Sequence, residues 1–327
     1  MTTSTELHVV LGGTGAAGRA IVGALAHLGK SVRAVSRTDR GGWPDGVAWH
    51  GADLTKRDDL RPVLSDASVV YMAAQPAYDR WPEEFPALIE HVLSALPSPD
   101  TRLVMVDNLY PYGPVDGPIH EHLPSAATDR KGRVRAEVAR RLLSAHEAGQ
   151  ARVAIGRAAD FYGPGVEASV ADLNFFRKIA AGQAVQWPAR LDVPHSLTYI
   201  RDYGRALALL GTREAALGQV WHVPASEALT GRAFIELVAR QANVPAKPGV
   251  LPKTAVRLAG LFNRMAREFG EMFYEFERPY VLDGSRFAAA FDFAPTPHDV
   301  AARETLAWLR AHGSGTVATP AVAGRVP

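Results

Sequence analysis

The stretch "VVLGGTGAAGRA", residues 9–20, decides the fold. Gly12, Gly15 and Gly18 fall three apart, directly after a short apolar run and directly before the helix-prone "AAGRAIVGALAHLG". A chain that turns this sharply from strand into helix leaves the first helical N–H groups unpaired. Their positive dipole end then faces whatever lies above the turn, and a pyrophosphate suits it. A glycine cluster alone marks only a tight turn. Its place between a buried strand and an amphipathic helix makes it a dinucleotide signature.

The same alternation continues outward. Apolar runs at 32–35 (VRAV), 68–74 (SVVYMAA), 102–107 (RLVMVD) and 152–156 (RVAIG) are separated by helical patterns, among them "EEFPALIEHVLSAL" and a helix beginning near Asp129. Continuously apolar strands between amphipathic helices predict an α/β fold, a doubly wound parallel sheet covered on both faces. Beyond about residue 160 the pattern becomes irregular. This predicts a dinucleotide-binding lobe over 1–160, a smaller, interleaved substrate lobe over 161–311, and a disordered tail over 312–327. In "FNRMAREFGEMFYEF", Phe262, Met265, Phe269, Met272, Phe273 and Phe276 recur at helical spacing. They predict a helix buried in the small lobe, a place compatible with lying over a cleft.

Composition narrows the functional classes. The 327 residues are 47% hydrophobic and 21% charged, with a net charge of +2, so no strong field argues for a nucleic-acid or membrane partner. Cysteine is absent, which excludes disulfides, thiol nucleophiles and thiolate metal sites. The first residues hold no basic leader and no apolar run of spanning length, so a soluble, cytoplasmic protein is expected. His120 and His122 in "HEH" lack a third spaced ligand, and no metal is expected.

The second strand ends in Ser36 and Arg37, where a dinucleotide site commonly reads the ribose. An acid there would favour NAD. Arginine favours a 2′-phosphate, so NADP is expected, with NAD as the alternative; Arg19 would assist and nearby Asp39 would oppose. Asp53 in "GADL" is placed to accept from the adenine amino group, or else caps a turn.

With these segments in hand the chain resembles the extended short-chain dehydrogenases/reductases, the NAD-dependent epimerase/dehydratase family. The resemblance runs from about Leu7 to Arg310 and rests on "GGTGAAG", "GADL", "VVYMAA", "VMVDNLYPYGP", "IGRAADFYGPG", "LTYIRDYGRAL" and "DGSRFAAAFDFAPT". It implies a Rossmann-type cofactor lobe with the substrate held against a smaller C-terminal lobe. It implies a cofactor lying on Gly12, Thr14, Gly15, Ala16, Ala17 and Gly18. From there the cofactor would pass Leu54 and the strand end Ala73, Ala74 and Gln75, and reach Ala158 and Phe161. It also implies a homodimer through the helices near 83–96 and 129–148.

The family's chemistry needs a Tyr-x-x-x-Lys pair on one helix face, helped by a serine after the preceding strand. The ammonium lowers the phenol's pKa, and the phenol exchanges a proton with substrate oxygen. Anchored on Glu137, the helix places Arg133 at the lysine position and Asp129 at the tyrosine position; Asn108 takes the serine position. Taking Lys131 as the lysine leaves Ala127 for the tyrosine. The usual trio is therefore absent. Arg133 can hold a ribose but relays no proton, and Asp129 and Arg133 could simply form an i,i+4 ion pair. Tyr110 is the better replacement proton donor, since Tyr112 matches a tyrosine that is more often structural. Tyr78, Trp81, Tyr112, Asp160 and His195 are candidate walls for a small-molecule substrate. Three functions compete: an NADP(H)-dependent reductase of a small, largely apolar imine, enone or carbonyl compound; a non-redox isomerase, lyase or cyclase; and a non-catalytic NADP sensor. The reductase is preferred.

Overall fold

The computed structural model describes residues 6–312. Its centre is a seven-stranded, wholly parallel sheet built from β1 (Leu7–Leu11), β2 (Ser31–Ser36), β3 (Val47–Gly51), β4 (Val69–Met72), β5 (Arg102–Asn108), β6 (Arg152–Ala158) and a late strand at Gln219–His222. The spatial order is the late strand, then β6, β5, β4, β1, β2 and β3. Order reverses between β1 and β4, and in such sheets ligands bind above the carboxyl ends of the strands at that point.

Side chains along each central strand alternate between two layers. Val9, Leu11, Val70, Met72, Leu103 and Met105 face one core, and Val10, Val69, Tyr71 and Val104 face the other. The first layer is closed by α2 (Arg57–Leu64), α3 (Trp81–Ala95) and α4 (Arg130–Glu147). The second is closed by α1 (Ala16–His27) and a helix at Ile200–Thr212. The late strand and the 200–212 helix thus pack with the first half of the chain.

A separate aromatic cluster is built from residues 162–309. Phe175 and Phe176 from the helix Leu173–Ala180, Phe234 from Gly231–Gln241, and Trp187 pack with Leu306 and Leu309 of the last helix, His298–His312. The tail from 313 onward lies outside the described residues. The run 262–276 is not one buried helix. Asn263 Oδ1 accepts from the Ala266 N–H at 3.1 Å and so starts a fresh helix at Arg264–Glu271, which gives way to a single 3-10 turn at Phe273–Phe276. Met272, Phe273 and Phe276 are buried, whereas Phe262, before the cap, is 90% exposed.

Candidate active site

The glycine loop is shaped by close approach. Gly12 has φ +82°, and a Cβ there would sit 2.6 Å from the backbone nitrogen of Ala74. A Cβ on Gly18 would lie 2.2 Å from the Gly12 carbonyl oxygen. Only glycine lets the loop, the end of β4 and the start of α1 meet. Gly15, the N-cap of α1, has no side chain to cap the helix, so the first-turn N–H groups remain available to an anion. Thr14, Ala16 and Ala17 complete this turn, and buried Leu54 lies beyond β3. A loop kept free of side chains, ending on an uncapped helix, fits a dinucleotide pyrophosphate.

At the end of β2, Ser36 Oγ donates to the Thr38 carbonyl and accepts from Trp49 Nε1, both at 2.9 Å. Asp39 accepts from the Gly41 N–H and Trp43 Nε1, both at 2.8 Å, and these bonds hold its carboxyl below the usual range. It is therefore turned into its own loop. Arg19 reaches the same loop, donating to the Gly41 carbonyl at 3.0 Å and lying over the Trp43 ring. Arg37 is exposed and has no hydrogen-bond partner among the described residues. Asp53 Oδ1 accepts from the Thr55 N–H and hydroxyl at 3.1 and 2.8 Å, a turn that leaves Oδ2 free of such bonds.

Helix α4 settles where its charged residues point. Asp129 is the N-cap, accepting from the Gly132 N–H at 2.7 Å. Arg133 is exposed, and no Asp129–Arg133 ion pair forms. The face turned inward carries Lys131 and Arg135 instead, four residues apart and aligned with Val134, Val138 and Leu142. Lys131 is 1% exposed; it forms an ion pair with Glu268 and donates to the Tyr78 carbonyl at 3.0 Å, with Nζ 4.0 Å from the Tyr78 ring centroid. Arg135 donates to Gln75 Oε1 at 2.5 Å and approaches Asp107 at 3.4 Å, with Trp81 and Phe85 against its guanidinium. The register anchored on Glu137 is thus two residues away from the one the helix presents. The apolar stripe 134–138–142 carries the signal that reveals it.

After β5, Asn108 Oδ1 accepts from the Tyr110 N–H at 3.1 Å. Because the backbone group donates, the acceptor must be the amide oxygen, and the NH2 group is left for another partner. Tyr112 turns into the protein, bonded to His222 at 2.7 Å beneath the Arg157 guanidinium, rather than toward the cleft residues. Ala158 is buried at the end of β6, and Phe161 packs on Tyr203 with ring centroids 4.8 Å apart. Glu121 of "HEH" accepts from the His222 N–H at 2.9 Å.

Tyr78, Trp81 and Tyr110 adjoin one another, with Tyr78 edge-on to Trp81 at 5.0 Å. Burial, then the neighbouring Tyr78, Glu275 and Asp160, push the Tyr110 phenol well above its ordinary value. Asp160 pairs with His195 Nε2 at 2.8 Å, and His195 is sandwiched between Phe276 and Tyr280. Glu275, from the 273–276 turn, is 2% exposed. Burial, then Asp160, push its carboxyl well above the carboxylate range, against the hydrogen bond of Tyr280. Glu275 Oε1 and the Tyr274 hydroxyl have no hydrogen-bond partner. Sequence reasoning set Lys131 aside, because Ala127 would then stand for the tyrosine, and did not single out Arg135, Glu268, Tyr274, Glu275 or Tyr280; the last four come from a segment with no local motif.

Residues 8–223 match the family model described as the NAD dependent epimerase/dehydratase family. No curated protein matches the sequence. Several solved structures share the fold. A UDP-glucose 4-epimerase from Thermus thermophilus in complex with NAD is 19% identical, with a TM-score of 0.73 over 94% of this chain and 99% of its own. A dTDP-glucose 4,6-dehydratase from Bacillus anthracis in complex with NAD is 15% identical, with a TM-score of 0.74 over 94% and 97%. A UDP-glucose 4-epimerase from Thermotoga maritima with UDP-glucose is 15% identical, with a TM-score of 0.75 over 93% and 99%. At these identities the likeness is one of fold, whereas the family match spans most of the chain. The protein belongs to the NAD dependent epimerase/dehydratase family.

Proposed function

We propose that the protein is an NADP(H)-dependent reductase of a small, largely apolar imine, enone or carbonyl compound. The observation that carries the reading is the inward face of α4, where Lys131 and Arg135 take the spacing of the family's tyrosine and lysine. Neither can act as the phenolate that removes a proton from a sugar hydroxyl: Lys131 is ion-paired and Arg135 stays protonated. Oxidation of an alcohol by the family route therefore lacks its base, while reduction needs only a hydride and, for some substrates, a proton. When bound, the dinucleotide supplies that hydride. Arg135 fixes Gln75 at the end of β4, beside the cofactor path. In this reading the Asn108 amide and the Tyr110 hydroxyl donate to a substrate carbonyl. Tyr78, Trp81, Asp160 and His195 form the substrate wall. A homodimer in the cytoplasm is part of the same reading.

NADP is favoured because Arg37 is free and Asp39 is committed to its own loop. Arg37→Asp is expected to weaken NADP+ by about tenfold to a hundredfold, a loss of ~1.4–2.8 kcal/mol, and to leave NAD+ nearly unchanged, as read by calorimetry. Equal weakening of both would remove the 2′-phosphate role. The reaction itself is tested by mixing the protein and NADPH with a panel of imines, enones and ketones. Nicotinamide absorbance should fall with at least one class. Substrate conversion at constant absorbance would instead support a non-redox enzyme.

A further inference from the structure

We propose that Asp160 and Glu275, grouped with the phenols of Tyr78, Tyr110, Tyr274 and Tyr280, receive a cationic nitrogen, so that the substrate is an iminium ion and the product its amine. The proposal rests on the reductase reading and names its substrate class.

Charge is the first argument. Asp160 finds only His195, and neither Glu275 nor Asp129 has a lysine or arginine within ion-pair distance among the described residues. Lys131 and Arg130 pair with Glu268, Arg130 also pairs with Glu271, and Arg264 pairs with Asp79. A nucleotide-sugar diphosphate would meet the Asp160 carboxylate here, with no arginine or lysine paired to it. A positive ligand would meet complementary charge.

The second argument is an unmet hydrogen bond. Glu275 Oε1 is buried without a partner, and so is the Tyr274 hydroxyl. An unpartnered buried polar atom has lost its water without gaining a partner, which is a standing cost to the fold. The N–H of an iminium or ammonium ligand would satisfy that oxygen.

Aromatic walls are the third. Phenol faces attract cations, most strongly when water is excluded. Tyr78 already holds Lys131 Nζ at 4.0 Å from its ring centroid.

The chemistry balances without a proton in the hydride step. The hydride adds to the iminium carbon, the C=N π pair moves to nitrogen, and the nicotinamide is oxidised by two electrons. The neutral amine then takes the proton of the Glu275 carboxyl. The resulting ammonium faces a new carboxylate until it leaves, and Glu275 is reprotonated from water.

The test uses the full chain saturated with NADP+ and two probes of one shape: tetrahydroisoquinoline, an ammonium at neutral pH, and isochroman, its uncharged oxygen counterpart. Calorimetry should show the ammonium binding at least about tenfold tighter. Asp160→Asn and Glu275→Gln should each reduce its affinity by about tenfold and leave isochroman unchanged. Unchanged melting temperatures would show that the variants fold. Equal binding of the two probes, binding of neither, or a preference that survives both substitutions would overturn the proposal. NADP+ binding, measured in the same cell, separates the two readings. Its absence would remove the reductase reading and the iminium site together, whereas NADP+ binding with no cation preference would remove only the latter.

Discussion

Gly18→Ala is expected to lower the affinity for NADP+ and NADPH by at least about a hundredfold, or ~2.8 kcal/mol. The added Cβ would stand 2.2 Å from the Gly12 carbonyl oxygen and 2.9 Å from Gly13 Cα. Both are backbone atoms that no rotamer change can move. Helix α1 must therefore back away from the loop, and its first-turn N–H groups lose their aim at the phosphates. Gly23 supplies the control within the same helix, because a Cβ there meets nothing within 4 Å. Gly23→Ala should keep wild-type affinity and raise stability by about 0.5–1 kcal/mol through helix propensity. Calorimetry for binding and thermal melts for folding decide the matter. Wild-type affinity in Gly18→Ala would contradict the account of the turn.

Lys131→Met is expected to cost about 3 kcal/mol of stability, at the lower end of what breaking a buried pair costs. Glu268, 2% exposed, would keep only Arg130, which is 53% exposed and shared with Glu271. For a chain of this size the melting temperature should fall by roughly 5–10 °C. The double variant Lys131→Met/Glu268→Leu should recover most of the loss, since apolar groups of similar volume remove the stranded charge. Acid should act on the same pair. Burial raises the Glu268 pKa, but the bonds and charges of Lys131 and Arg130 outweigh it and hold the pKa below its ordinary 4.5. Its contribution is therefore complete above about pH 4.5 and is lost as pH falls through the lowered value. A melting temperature unchanged by Lys131→Met would show that the pair does not hold the 264–271 helix against α4.

How much of this was legible in the sequence depends on how local each signal is. The parallel strands and the helices that flank them follow from runs of ten to twenty residues, and the sheet bears that reading out. Helix α4 was legible in principle. Its apolar stripe at Val134, Val138 and Leu142 fixes which face is inward and carries Lys131 and Arg135 with it. Anchoring on Glu137 gave a motif-based register that the stripe does not support, and Asp129, placed at the tyrosine position, is an N-cap residue of an ordinary kind. The same cap chemistry at Asn263 divides the run 262–276 and leaves Phe262 outside the buried part. Glu268, Tyr274, Glu275 and Tyr280 could not be read at all. They lie more than a hundred residues downstream of α4, and only tertiary packing brings them to Lys131, Tyr78 and Asp160.

The central claim is that this chain transfers hydride without the family's tyrosine and lysine. The direct measurement is the fate of a deuteride: NADPH carrying deuterium at both C4 positions of the nicotinamide is mixed with dihydroisoquinolinium, and the product is weighed by mass spectrometry. The account predicts tetrahydroisoquinoline carrying the deuterium at the former iminium carbon. Unlabelled product, or turnover without loss of label from the cofactor, would contradict it.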